Sequence, residues 1–482
     1  MSRIGIIDLG SNSARLMIYE IEKSGAYWPI FEMKQNIRLA EAMNDGIIQE
    51  TGIQRAISCT RLFYRAGQLH NVDEWLAVAT AAIRQSRNQS EILHRLRVEA
   101  GIAYQVIEGA DEGRYGYIGA VNTLPIQNAL LFDIGGASTE LMLVESRKLK
   151  GVVSLPHGAL NLMKRFENIS ETETARLVYH FMQEALNEVS FLSFAQNMPL
   201  VGMGGTARAL AKLELARLNK PSARIHGFTM DQEAVQQWFE ELSSLPLAKR
   251  KKIKNLSKSR ADIIVPGLAI MSALMKKTSS PSLMVSRAGL REGIFYERYL
   301  RYTGSAVVHD VLSHSLFNFQ RKFVVNPTVS DLVADAALRL FDALVEKSLV
   351  DAADRTLFYT TVQVESAGCY IHTERWMHHS AYLAQWSQLY GLGYHETEDM
   401  VQLLSGKANK RLKRLSLLLR LAKLLTLQLG MNAEEIEIVM NQDSLMIGRI
   451  PDMNHQVEKS ADASLVDEFL LTFQIPLIFL DA

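Results

Sequence analysis

Cysteine is nearly missing from this 482-residue chain: only Cys59 and Cys369 occur. They fall in different predicted domains, which excludes a disulfide scaffold and points to a reducing, cytoplasmic setting. Net charge is missing too, with 52 Lys+Arg against 52 Asp+Glu. No global basic field exists to hold nucleic acid, so any anion site must be local. Long apolar runs are absent. Nothing reaches the ~18 residues of a membrane span, so no membrane partner is expected. MSRIGIID enters a strand at once, without the charged and apolar regions of a leader. Low-complexity tracts are absent as well. The 48% hydrophobic and 22% charged residues are a globular balance. At ~100–200 residues per domain, the length asks for three or four domains.

What the chain does contain is one turn written twice. IIDLGSNSARLMIYE (6–20) and LFDIGGASTELMLVE (131–145) each read as strand, tight turn, strand. In the first, Asp8 ends a strand, Gly10 turns, and Ser11, Asn12 and Ser13 supply donors. In the second, Asp133 ends a strand, Gly135 and Gly136 turn, and Ser138 and Thr139 supply hydroxyls. Glu140 opens the outgoing strand. Glycine admits close backbone approach, turn donors bind phosphate oxygens, and an Asp at a strand end holds a cation. Gly, Asn, Ser and Asp also favour ordinary turns. The repetition and the extra carboxylate turn the reading toward metal-assisted phosphate chemistry.

Other segments fit the same cleft. GMGGT (202–206) is a Gly-rich turn into a helix, where Gly204, Gly205 and Thr206 can meet an anion. Arg84 follows the strand ending at Thr80, and Arg260 opens a long apolar helix. Both are fork-shaped phosphate donors. In IEGADEGRYGYIGAV (107–121), Asp111 and Glu112 open a helix. Acidic residues there suit the helix dipole, but a carboxylate aimed into a cleft can also deprotonate water. The basic run Lys249–Lys258 is either a solvated face or a polyanion platform. His372, His378, His379 and His395 have no partner Asp at ligand spacing, and read as packing or surface histidines.

Strands and helices alternate over 1–122 and again over 123–300, two similar α/β layers. Helix is expected over 50–69, in a segment capped by Ser90 and ending near Gly101, over 171–194 and over 206–217. Strands are expected at 3–9, 14–21, 28–34, 75–80 and 103–108. From 301 to 430 the texture is helical, over 305–350, 355–372, 376–390, 395–409 and 411–430. A small α+β tail follows over 431–482, with a hairpin at 435–450 and FLLTFQIPLIFLDA as a buried strand pair.

Seven motifs stand in order: IDLGSNSARL, ATAAIRQSRN, GADEGRYGYIGAV, FDIGGASTEL, GMGGTARAL, RADIIVPGLAIM and GLREGIFYE. Together they resemble the exopolyphosphatase / guanosine pentaphosphate phosphohydrolase family, over about residues 1–300. That resemblance implies two ribonuclease H-like (actin-like ATPase) halves. An all-α degenerate HD-like domain, best matched at MHHSAYLAQWS (377–387), and the α+β tail would follow. It implies a Mg²⁺- (or Mn²⁺-) dependent phosphoanhydride hydrolase. Glu112 would activate water, with Asp133 and Glu140 beside it in catalysis. Asp8, Asp133 and Glu140 would hold metal. Ser11, Asn12, Ser13, Arg84, Gly135, Gly136, Ser138, Gly204, Gly205, Thr206 and Arg260 would hold phosphate. Inorganic polyphosphate or guanosine pentaphosphate would be the substrate, and a homodimer the assembly.

The chain departs from the family pattern in three places. Ala137 stands where a third Gly is usual. QVESAGCYI (363–371) carries Glu365 and Ser366 where the HD-like domain of long family members keeps a His-Asp or His-Glu remnant, so a second metal site is not expected. GKANKRLKR (406–414) replaces another basic motif, with Lys407, Lys410, Arg411, Lys413 and Arg414 keeping charge that can guide a polyanion. Two other classes stay open: a phosphotransferase on the same scaffold, and a non-catalytic polyphosphate or alarmone sensor.

Overall fold

The computed structural model describes residues 1–166, 169–220, 224–441, 443–450 and 463–481. It divides into two compact units, Met1–Val311 and Leu312–Ala482.

The first unit holds two copies of one α/β layer. Copy one starts with a meander, β1 (Ser2–Leu9), β2 (Ser13–Ile21) and β3 (Tyr27–Asn36). A two-stranded ribbon follows, β4 (Met43–Asn44) with β5 (Ile47–Ile48), and then α1 (Glu50–Leu69). Next come β6 (Glu74–Ala79), α2 (Ala81–Arg84), α3 (Gln89–Ala100), β7 (Gln105–Val106) and α4 (Gly109–Val121). Copy two repeats the meander with β8 (Ala129–Ile134), β9 (Thr139–Glu145) and β10 (Lys148–Leu155). It continues through α5 (Ala159–Arg165), α6 (Glu171–Ala185), β11 (Leu200–Met203), α7 (Gly204–Arg217) and β12 (Thr229–Asp231). It closes with α8 (Gln232–Ser244), α9 (Leu247–Arg250), α10 (Ile264–Thr278), β13 (Ser282–Val285) and α11 (Leu290–Tyr299).

The sheets run β3-β2-β1-β6-β7 and β10-β9-β8-β11-β13-β12. In each, a meander is extended by parallel strands beyond its first strand, the ribonuclease H-like order of actin-like ATPases, and in the second sheet an antiparallel β12 is added at the edge. The central strands are covered on both faces, which is why Ile4, Gly5, Ile6 and Ile7 are all buried rather than alternating. The last helix of each copy packs against the other copy. On α4, added Cβ atoms at Gly113 and Gly116 would meet Val152, Met142 and Met203 of the second sheet. On α11, Phe295 stacks on Tyr19 of the first sheet at 3.9 Å, and Tyr27 Oη donates to Tyr296 Oη at 2.6 Å. The two helices meet where a side chain on Gly119 or Gly293 would strike the other's backbone. This exchange places the start of α4 at the junction of the copies.

Local differences from expectation have local causes. β7 is only two residues long where a strand over 103–108 is expected. Helix α3 starts at Gln89 rather than behind a Ser90 cap. Asn88 holds the cap position, but its side chain is spent clamping Ile48 N–H and C=O at 3.1 and 2.9 Å. The C-terminal end is as expected, with Gly101 left-handed at φ 79°. The expected helix over 171–194 ends at Ala185 and gives way to 3₁₀ turns.

The second unit is mostly helical: α12 (Val311–Lys322), α13 (Pro327–Val345), α14 (Arg355–Val364), α15 (Trp376–Trp386), α16 (Tyr394–Leu404) and α17 (Lys410–Lys423). Residues 305–350 are two helices, because Pro327 starts α13 behind the Asn326 cap. The hairpin forms as β14 (Glu437–Met440) and β15 (Leu445–Ile450). The terminal strand pair does not form. Residues 463–473 are a helix, α18 (Ala463–Phe473), and only β16 (Leu477–Asp481) is a strand, parallel to β15. Leu465, Phe469 and Phe473 are buried four residues apart, a helical period.

Where an HD-type metal pair would stand, Glu365 is buried. It takes Lys423 Nζ at 3.0 Å and Trp376 Nε1 at 3.1 Å. A lysine ammonium thus neutralises the carboxylate and ties α14, α15 and α17 together. Glu365→Gln leaves Lys423 without its counter-charge and should cost about 3 kcal/mol of stability. Urea unfolding checks this, and an unchanged midpoint would show that the pair is dispensable. In GKANKRLKR, Arg411 is engaged by Asp354 and Asp399, and Arg414 donates to the Leu349 carbonyl. Lys407, Lys410 and Lys413 are exposed. His372, His378 and His395 are exposed as well.

Candidate active site

The two Asp-Gly turns fold alike. Gly10 N–H donates to Ser13 C=O at 3.2 Å, and Gly135 N–H to Ser138 C=O at 2.9 Å. A Cβ at either glycine would lie 3.1 Å from that carbonyl oxygen, a tight contact that would press on the turn. The segment after each third strand ties the turn down. Ile37 and Arg38 donate to Asn12 C=O and Ala40 to Ser11 C=O, while Ala159 and Leu160 donate to Gly135 and Gly136. Carbonyl oxygens that would repel an anion are thereby occupied. Ala137 has no positive φ, so its methyl group adds no backbone strain.

The turns and the third Gly-rich loop enclose a cavity of about 190 Å³. Asp8, Gly10, Ser11, Asn12, Ser13, Asp133, Gly135, Gly136, Gly204, Gly205, Thr206 and Arg260 all line it. Gly204 starts α7 at φ 75°, and a Cβ there would collide with the Asp133 carboxylate. A Cβ on Gly205 would overlap the Arg260 guanidinium. Both glycines therefore let charged groups reach the start of α7. Thr206 is almost wholly buried, its side chain lying over Gly267.

Arg84, Glu112, Ser138 and Glu140 do not line that cavity but gather beside it. Register pairs Asp133 with Glu140 across β8 and β9, and Ser154 with Glu140 across β10. Ser154 Oγ donates to Glu140 Oε1 at 2.8 Å. Glu112, in the first turn of α4, faces Arg84 Nη1 at 3.4 Å, which also donates to Ile107 C=O at 2.7 Å. Burial, then Glu140 and Asp8, push Glu112 well above the usual carboxylate range against the pull of Arg84. Burial and then Asp133 push Glu140 up to about 7. Burial raises Asp133 to about 6, and it raises Asp8 against Arg291 and Arg15. These are carboxylates whose charge is costly until a cation or hydrogen-bond donor arrives.

The donors at Asp8, Asp133 and Glu140 are all oxygen, which suits a hard cation such as Mg²⁺. Among the described residues no three His, Cys, Asp or Glu side chains form a ready-made cage.

Several site residues lie outside the sequence reading. Arg15 is paired with Asp8 and lines the cavity. Ser13 and Arg15 share a strand face, so period two could have found it. Arg208, one turn into α7, donates to Gly204 C=O at 2.5 Å. Burial and the neighbouring Arg15 bring Arg208 down to about 10. Arg291 and Glu292 come from the GLREG motif, with Arg291 held to Glu32 at 3.2 Å. Thr80, Arg38, Glu41, Ser259 and Asp262 add polar lining, and Ile134, Ala159, Leu160 and Ile263 add an aliphatic part. Arg15 repels both Arg208 and Arg260 in a buried place, a field that an entering polyanion relieves. Within the basic run, Arg250 is buried and bonds the Ala261 and Leu245 carbonyls, while Lys251, Lys252, Lys254 and Lys258 are exposed.

Known proteins share this arrangement. Residues 17–302 match the Ppx/GppA phosphatase family, and residues 311–417 match Ppx/GppA phosphatase, domain III. The crystal structure of the Aquifex aeolicus member of the Ppx/GppA family is 30% identical, with a TM-score of 0.55. The match covers 63% of this chain and 99% of that one. An exopolyphosphatase from Cytophaga hutchinsonii shares the fold at 22% identity and a TM-score of 0.59, covering 64% of this chain and 100% of that one. With the paired turns, the crossed helices and the carboxylate cluster in place, the chain belongs to the Ppx/GppA phosphatase family and is a phosphoanhydride hydrolase.

Proposed function

We propose that this enzyme releases terminal orthophosphate from inorganic polyphosphate by attack of water on the terminal phosphoanhydride. The observation that carries the substrate choice is the cavity lining: about 190 Å³ of turn donors, arginines and carboxylates beside the aliphatic Ile134, Ala159, Leu160 and Ile263, with no aromatic side chain among its residues. Such a lining holds phosphate groups and offers a base nothing to stack on.

In this reading Ser11, Asn12, Ser13, Gly135, Gly136, Ser138, Gly204, Gly205 and Thr206 cradle the terminal phosphate, and Arg84 and Arg260 steady its oxygens. Asp8, Asp133 and Glu140 would hold Mg²⁺ (or Mn²⁺), which would neutralise phosphate charge. Glu112 accepts a proton from water as the water oxygen bonds to phosphorus. The bridging P–O bond breaks and the shortened chain departs with the bond's electrons. The raised proton affinity of Glu112 suits a base working near neutral pH.

The enzyme is placed in the cytoplasm, supported by its two free cysteines. Among the described residues no helix is long and apolar enough to cross a membrane. The family resemblance extends the reading to a homodimer, and a monomeric mass in solution would remove that element.

Side-by-side phosphate release from long-chain polyphosphate and from guanosine pentaphosphate, with and without Mg²⁺, tests the proposal. Polyphosphate should show the higher kcat/KM, and chelation should abolish release. A clear preference for guanosine pentaphosphate would reassign the substrate to its 5′ γ-phosphate. Turnover in chelator would remove the metal.

A further inference from the structure

Arg38 is built into the site in an unusual way. It lies in the left-handed region at φ 46°, ψ 52°, a conformation shared in this chain by Arg147 and Arg375. The backbone around it is fixed from three sides. Its N–H and that of Ile37 donate to Asn12 C=O, both at 3.0 Å. Its carbonyl accepts from Arg55 Nη2 at 3.0 Å. Ala40, two residues on, donates to Ser11 C=O and accepts from Lys164 Nζ of the second copy at 3.3 Å. The same segment therefore pins the first phosphate turn and touches the facing half.

The side chain, by contrast, is loosely held. Its Nη1 lies 3.3 and 3.5 Å from the two Glu41 oxygens, long for a charge-assisted bond, and both side chains are about half exposed at 49% and 47%. Yet both residues line the cavity beside Ser11 and Asn12. A weak exposed pair of this kind is worth well under the bidentate bond a guanidinium makes with phosphate.

Resting on the proposed function, we propose that Arg38 binds the phosphates next to the one being cleaved, and that Glu41 is the counter-ion it surrenders to do so. The rigid backbone aims the guanidinium at the cavity, and the weak pair leaves it exchangeable. Glu41 then serves as a filter. Its hold on Arg38 is what the incoming phosphates must break, and longer oligophosphates compete for the guanidinium better than short anions.

The test is steady-state kinetics of the full chain on tripolyphosphate and long-chain polyphosphate, with equilibrium binding of a non-hydrolysable imido analogue of tripolyphosphate. Arg38→Asn keeps a residue that tolerates the left-handed backbone and removes the guanidinium. It should raise KM and weaken analogue binding about tenfold to hundredfold, with the loss in KM rather than kcat. Arg38→Lys should recover part of it. Glu41→Gln should tighten both ligands several-fold, and do nothing in the Arg38→Asn background. If the wild type is active but KM and analogue affinity stay put in Arg38→Asn, or the loss falls in kcat, the inference is overturned. If the wild type cleaves no polyphosphate yet Arg38→Asn still weakens analogue binding, the functional reading falls and the anion site stands.

Discussion

Glu112→Gln should lower kcat for phosphate release about a thousandfold while leaving the affinity for oligophosphate nearly intact. A positioned general base contributes on the order of 10²–10⁴ in rate. Gln keeps the side-chain shape and its place in the first turn of α4 but cannot accept the proton of the attacking water. The same residue should set the acid limb of the wild-type pH profile. Glu112 acts as a base only when ionised, and burial beside Glu140 and Asp8 raises its pKa. Activity should therefore rise with pH through a limb lying well above 4.5, the usual value of a glutamate. Residual turnover in Glu112→Gln should keep only the limb set by Asp133 and Glu140, raised to about 6 and about 7. A wild-type limb near 4.5, or full turnover in the variant, would mean that another group handles the proton.

Gly204→Ala should have the next largest effect, on two properties at once. The position has φ 75°, where a Cβ is strained by about 1 kcal/mol. Worse, the added methyl group would collide with the Asp133 carboxylate. Asp133 cannot retreat freely, because it is held on β8 between β9 and β11. Either the start of α7 shifts, taking Gly205 and its contact with Arg260 along, or Asp133 leaves the cavity. kcat/KM should fall about a hundredfold, the scale expected when reacting groups move by about 1 Å. Thermal unfolding should drop by only a few degrees. Normal kinetics with a lowered unfolding temperature would show that the close approach is purely structural.

The site was legible where chemistry is contiguous in the chain. The Asp-Gly-hydroxyl turns and the GMGGT loop carry their donors within five residues, so each announces itself. Arg84, Glu112 and Glu140 were each legible as candidate residues, but not as neighbours of one another. Their meeting depends on α4 crossing to the second sheet, which no local pattern encodes. Arg15, Arg208 and Arg291 escaped because an arginine in a strand or helix looks solvent-facing until burial is known. Arg38 escaped because its left-handed backbone is imposed by hydrogen bonds to Asn12, on the other side of a strand pair. In the second unit the tail was misread because FLLTFQ, taken from Phe469 onward, hides the helical spacing that Leu465 reveals. Ser90 looked like a cap because the competing duty of Asn88 at Ile48 is a long-range fact.

The central claim is that water, oriented by Glu112, attacks the terminal phosphorus. Hydrolysis of polyphosphate in ¹⁸O-labelled water, with mass analysis of both products under single-turnover conditions, tests it most directly. The account predicts one labelled oxygen in each released orthophosphate and none in the shortened chain. Label in the remaining chain, or unlabelled phosphate transferred to an organic acceptor, would contradict it.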